Sequence, residues 1–230
     1  MKQMISAVFV ALFAIYGCGL TGHETTPPSA GLYIINASPD APAIDVALNN
    51  NVIASGYTYG KDSGYFLTFP GTYEFKLSQT GATSSLADQF LNLPAGKYFS
   101  LFLVDYFSTS TPKIVLIEDN LTTDTFSYAS VRLLDFCPNS PTLDASFTNV
   151  ADTVNFAGRY FSDQSLVSSY TNFSAVPAGI YDLSLYDHDT TTLINKFSSI
   201  TFESGKYYTV YLKGLYANTT TPLDTAIIRH

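Results

Sequence analysis

The 230-residue sequence contains no tryptophan, two cysteines, two methionines and three histidines, and only 13% of its residues are charged. Each shortage removes a class of protein. Two cysteines cannot supply a disulfide-dense scaffold, so stability has to come from buried apolar surface. The histidines are His23 near the start, His188 in Tyr186-Asp187-His188-Asp189, and His230 at the far end, and none stands in the pattern of a triad or a zinc site. No G-x-S-x-G elbow and no D-x-D-x-D-G calcium loop occurs. These gaps point to no enzymatic activity, no cofactor and no resident metal. Asp40, Asp45 and Asn49-Asn50-Asn51 offer oxygens of the kind calcium takes, but turn formation accounts for the same residues. Basic residues are scarce as well: 11 Lys and Arg against 19 Asp and Glu give a formal net charge of −8. An acidic surface repels phosphate backbones, which argues against nucleic acid as a partner.

What remains is apolar and aromatic. Hydrophobic residues make up 46% of the chain, and 17 Tyr and 17 Phe account for all of its aromatic content. That is ample material for packed cores and unlike the composition of a disordered chain. Tyr, Phe, Thr, Val and Ile favour strands over helices. A length of 230 residues suits two domains of about 100 residues, each able to bury its own core.

The first residues read as an export signal. Lys2 precedes an apolar stretch from Met4 to Ile15, too short to span a bilayer as a mature helix. Ile15-Tyr16-Gly17-Cys18 follows and resembles the bacterial lipobox, with Tyr16 where a small residue is common. The resemblance implies a signal peptide over residues 1–17, diacylation of the Cys18 sulfur, cleavage before Cys18 and acylation of the new amino terminus. Each buried CH₂ contributes about 0.8 kcal/mol, so several acyl chains hold a protein at a membrane where one does not. Residues 18–30, rich in Gly, Thr, Pro and Ser beyond the cysteine, read as a flexible tether. With Cys18 lipidated, Cys137 is left alone, beside an apolar run that suits a buried, inert thiol. The expected location is the cell envelope, at the outer membrane, facing either the periplasm or the outside.

The rest of the chain reads as a duplication. IINASPDAPAID at 34–45 aligns without gaps with LLDFCPNSPTLD at 133–144, a spacing of 99 residues. FPGTYEFKL at 69–77 matches VPAGIYDLSL at 176–185, and PAGKYFSLFLVDYF at 94–107 matches ESGKYYTVYLKGLY at 203–216. Three blocks in the same order predict two domains, over 31–126 and 127–230. Within them, Ile44, Val46 and Leu48 alternate with Asp45 as a half-buried strand requires, and Glu74 and Lys76 face outward between Tyr73, Phe75 and Leu77. Asp40 and Asn139, each between two prolines, suit local Asx turns. LADQFLN at 86–92 and LINKFSS at 193–199 fit strands better than helices in this setting. Short strands about every 10 residues, punctuated by Gly, Pro and Asn, predict an all-β fold of two tandem Ig-like or transthyretin-like β-sandwiches.

The Asn36-Ala37-Ser38-Pro39-Asp40-Ala41-Pro42 block, the strand after it and the later Leu-Pro-Ala-Gly-Lys-Tyr block resemble the domain of unknown function 4397 family, often found in tandem in secreted and surface bacterial proteins. The resemblance implies no established activity, cofactor or catalytic residue. The expected role is therefore a non-enzymatic adhesion, scaffold or binding module of the envelope, with the membrane as partner through Cys18 and a protein or glycan as ligand. A carbohydrate-binding accessory of a polysaccharide uptake system is the alternative, although Trp, the strongest sugar-stacking residue, is absent. Asp152-Thr153-Val154, Asp189-Thr190-Thr191 and Asp224-Thr225-Ala226 resemble an acceptor pattern for O-linked glycosylation in exported bacterial proteins.

Overall fold

The computed structural model describes residues 28–108, 112–121 and 127–230. The expected signal peptide, Cys18 and most of the tether lie outside the described residues. The first half contains β1 (Ala30–Asn36), β2 (Ile44–Leu48), β3 (Asn51–Tyr57), β4 (Asp62–Thr68), β5 (Gly71–Gln79), β6 (Ser85–Leu93), β7 (Tyr98–Val104) and β8 (Lys113–Glu118). The second contains β9 (Tyr128–Asp135), β10 (Leu143–Thr148), β11 (Thr153–Arg159), β12 (Ser174–Pro177), β13 (Gly179–Asp187), β14 (Leu193–Phe202), β15 (Tyr207–Lys213) and β16 (Asp224–Arg229). The two ambiguous segments are strands, within β6 and β14.

Local chemistry explains the turns. Asn49 and Asn50 both adopt positive φ, 48° and 66°, which asparagine tolerates and a two-residue hairpin between β2 and β3 needs. In β2, Ile44, Val46 and Leu48 are buried while Asp45 and Ala47 are half-exposed, the period of two expected from the sequence.

The strands form four sheets, ordered β4-β1-β7-β8 and β3-β2-β5-β6 in the first half, then β12-β9-β15-β16 and β11-β10-β13-β14 in the second. Strand for strand, the second pair repeats the order of the first. β1 runs parallel to β7, and β9 parallel to β15. An immunoglobulin sandwich keeps its first two strands in one sheet. Here β1 and β2 belong to different sheets, so of the two sandwich types expected, the transthyretin-like one fits.

Three cores hold the sheets together. Leu32, Ile34, Val46, Phe75, Leu101 and their neighbours fill sandwich 1, and Val131, Leu133, Phe147, Leu183 and Val210 are among those filling sandwich 2. A third core joins them: Ile35, Phe102, Val104 and Ile117 from one side meet Leu134, Phe136, Tyr211 and Ile228 from the other. The ring centroids of Phe102 and Phe136 lie 4.6 Å apart, and Phe102 meets Tyr211 edge-on at 5.4 Å. This third core explains why β1, β7, β9 and β15 are apolar along almost their whole length: alternate residues serve a sandwich and the seam. Burying each large side chain stabilises by roughly 1.5–3 kcal/mol, so the sandwiches meet through a core of their own.

Candidate functional site

The paired prolines mark clamps. The Asp40 carboxylate accepts hydrogen bonds from Phe107 N at 2.7 Å, Ser108 N at 3.1 Å and Ser108 Oγ at 2.5 Å. In sandwich 2, Asn139 accepts from Tyr216 N at 2.8 Å and donates to Tyr216 O at 3.0 Å. The local Asx turns expected at Asp40 and Asn139 are thus replaced by bonds that pin the loop after the central strand. That loop needs a pin because the chain swings through positive φ there, at Asp105 (74°) and at Gly214 (83°).

The oxygens with a calcium-like look serve the hairpins. Asp45 accepts from Ser55 Oγ, Gly56 N, Thr80 Oγ1 and Gly81 N, and the Ser55 hydroxyl above all holds its carboxyl down to about 2. Asn49 accepts from Glu74 N and Asn50 from Lys76 Nζ. Asp144 accepts from Gly158 N at 2.7 Å and pairs with His188 Nδ1 at 2.8 Å, which raises the imidazole pKa. Among the described residues no group of three or more His, Cys, Asp or Glu is placed to hold a metal ion. Cys137 is fully buried, and burial pushes its thiol up to about 12. Thr153 and Thr190 are exposed, whereas the Thr225 hydroxyl donates to Tyr211 O at 3.4 Å.

The two sandwiches differ most in one loop. Four residues, 58–61, join β3 to β4, but fourteen, 160–173, join β11 to β12. This insertion is anchored by buried charge: Arg159 donates to Asp163 through Nε at 2.5 Å and Nη2 at 2.9 Å, and its guanidinium lies 4.1 Å from the Tyr170 ring centroid. Bidentate geometry and aromatic stacking are the arrangement in which a buried pair offsets its desolvation. Phe161 then packs on the seam core. Between this insertion and sandwich 1 runs a groove of about 600 Å³. Asp88 and Gln89 of β6 and Lys113, Ile114 and Val115 of β8 form one wall, and Tyr160, Phe161, Ser162, Ser165 and Leu166 the other. Lys113 bonds Asp105 at 2.8 Å and sits 5.5 Å from the Phe161 ring centroid. A concave, mixed polar and apolar surface on a rigidly held loop has the character of a binding site.

A second cluster, missed in the sequence, lies inside the seam. Arg132 and Asp119, both fully buried, form an ion pair. Asp119 Oδ2 also accepts from Tyr65 Oη at 2.6 Å and Ser100 Oγ at 2.8 Å. Arg132 Nε donates to Thr209 Oγ1 at 2.8 Å, and His230 touches Thr209 Oγ1 through Nε2 and Tyr65 Oη through Nδ1, each at 2.7 Å. Burial pulls the His230 pKa down to about 4 and lowers that of Arg132, while it raises that of Tyr65. His230, far along the sequence from its partner Tyr65, is part of a closed network. Its polar atoms bond one another across the seam, so the cluster ties the two sandwiches together. The cue in the sequence was Arg132, a lone charge inside the apolar run of β9.

Among the described residues no helix is long and apolar enough to cross a membrane. No curated protein matches the chain. Among solved structures, the family CBM26 module CBMbc from Eubacterium rectale Amy13K, in complex with maltoheptaose, is similar at 12% identity, over 88% of this chain and 97% of that one, with a TM-score of 0.25. A likeness that loose bears on neither fold nor ligand. The family model described as "Domain of unknown function (DUF4397)" matches residues 30–146, which take in sandwich 1, β9 and most of β10. With just over half of its residues inside that match, the chain belongs to the DUF4397 family.

Proposed function

We propose that the protein is a non-enzymatic recognition module of the bacterial cell envelope, tethered to a membrane through Cys18 and binding its ligand in the groove beside the seam. The observation that carries this reading is how the groove is made. The loop that sets sandwich 2 apart from sandwich 1 is the loop that walls it, and a buried ion pair holds that loop in shape. The anchoring half rests on Lys2, the apolar stretch to Ile15 and the Gly17-Cys18 pair. Fractionating cells that make the Cys18→Ala variant tests it: the variant leaves the membrane fraction and lacks the acyl mass. A variant still in the membrane fraction with unchanged mass would end the anchoring claim.

A glycan is the ligand class we favour. Asp88 lines the groove, and Phe90, on the same face of β6 two residues on, is 72% exposed. Planar hydrogen-bonding groups next to an accessible ring are what a sugar needs, polar edges for its hydroxyls and a flat face for its C–H surface. A glycan array probed with the full chain and with Ser165→Trp, which fills the groove, is the experiment. Hits lost in the variant support the reading; no hits, or hits indifferent to the tryptophan, remove it.

A further inference from the structure

The seam network has one possible direction of hydrogen bonding. Asp119 accepts only, so the single Tyr65 proton goes to it, and Tyr65 Oη is left to accept from His230 Nδ1. The Arg132 guanidinium donates only, so Thr209 Oγ1 accepts from Nε and turns its own proton to His230 Nε2. The ring then closes: Arg132 to Thr209, Thr209 to His230, His230 to Tyr65, Tyr65 to Asp119, and Asp119 back to Arg132. It requires a neutral His230 with its proton on Nδ1. It also crosses between sandwiches twice, since Tyr65, Ser100 and Asp119 belong to the first and Arg132, Thr209 and His230 to the second. Arg132 Nη1 adds a third crossing by donating to Glu118 O at 3.3 Å.

A proton on Nε2 breaks this order. Nε2–H would take the second lone pair of Thr209 Oγ1, and the Thr209 proton would lose its partner in a fully buried position. Imidazolium would also stand beside the Arg132 guanidinium with Asp119 as the one carboxylate shared by both. Phe173 meets the imidazole edge-on at 5.7 Å, Tyr65 lies against it, Tyr207 O accepts its backbone N–H, and Arg229, the residue before it, is paired with Glu203. We infer that His230 is an acid-sensitive brace of the seam: protonating it weakens the hold of sandwich 1 on sandwich 2 while each sandwich keeps its own core. An open seam parts β6 and β8 from the 160–166 segment, the two walls of the groove.

Small-angle X-ray scattering of the purified full chain between about pH 7 and about pH 3.5, with far-ultraviolet circular dichroism and histidine NMR on the same samples, tests this. The expected result is a compact particle at neutral pH that expands toward two lobes as pH falls from about 6.5 to about 4, the window in which an opened His230 takes a proton and a closed one does not, with strand signal retained. In His230→Gln, which cannot take the proton, the compact form persists at least one pH unit lower, about a tenfold change in proton concentration. Three outcomes overturn the brace: a compact particle with His230 protonated, strand loss together with separation, or a variant that opens where the parent does. Should the variant not fold, the parent alone decides, because a separation outside that pH window also overturns it.

Discussion

Asn36 and Asp135 hold the same turn in the two sandwiches, one as an amide and the other as a carboxyl. Asn36 Oδ1 accepts the Ser38 N–H at 3.2 Å, and Asp135 Oδ1 accepts the Cys137 N–H at 2.9 Å. Both side chains are fully buried. Burial raises the Asp135 carboxyl from 3.8 to about 7, so it keeps its proton and behaves like its amide counterpart until neutral pH.

The sign of the pH effect follows from that shift. A raised folded-state pKa means that the folded state binds more protons between about 4 and about 7, so this carboxyl's contribution is full below that window and is lost as pH climbs through it. Asp135→Asn removes the dependence. At about 1.4 kcal/mol per unit the variant gains up to about 4 kcal/mol near pH 8 and little near pH 4, read from urea unfolding at the two pH values. Equal stability of parent and variant at pH 8 would mean that Asp135 ionises without cost.

Breaking the seam network on one side should be costly. Arg132→Met leaves Asp119 buried without its counterion, and loss of one partner from such a pair costs about 3–5 kcal/mol. Arg132→Met with Asp119→Leu recovers much of it, because no charge is then left in the interior. Chemical unfolding of the two single variants and the double variant gives the coupling directly, and additive losses would contradict a linked pair.

Strand positions were legible because alternation is a local signal: Ile44, Val46 and Leu48 announce a half-buried strand without reference to anything distant. The apolar runs of β1, β7, β9 and β15 are equally plain in the sequence. A run buried on both faces does not say what covers the second face, so the seam core was not foreseen. The network was hidden for a similar reason. Tyr65, Ser100, Asp119, Arg132, Thr209 and His230 are scattered from β4 to the residue after β16; Arg132 alone is unusual in its place, and only the sheet stacking brings the six together. The groove did leave a trace. The offset between matched blocks grows from 99 residues at Ile34 and Leu133 to 108 at Tyr73 and Tyr181, and that growth falls where the long loop is inserted.

Gly214 gives a backbone test. Its φ is 83°, and a Cβ there would lie 2.1 Å from Pro222 O, a backbone atom with little room to retreat. Gly214→Ala should destabilise by the left-handed penalty of about 1–2 kcal/mol and more for displacing the 221–222 segment. Gly205, at φ 71° with nothing within 4 Å of its Cβ position, carries the first penalty alone. A thermal shift for Gly214→Ala no larger than that for Gly205→Ala would show that Pro222 yields freely.

The insertion should loosen independently of the sheets. Arg159→Leu removes both hydrogen bonds to Asp163 and the stack on Tyr170, leaving a buried carboxylate that, among the described residues, keeps the Tyr160 N–H at 3.3 Å. Removing one partner of a buried pair costs about 3–5 kcal/mol, but here the cost is met by opening a 14-residue loop and not by opening a core. Hydrogen exchange should therefore speed up across residues 160–173 while β9, β10, β13 and β15 keep their protection. Phe161 leaves the seam core with the loop, so a smaller rise is expected in β8, where Val115 packs on that core. If exchange rises uniformly through sandwich 2, Arg159 supports the whole fold, and the groove wall is not the separable element proposed.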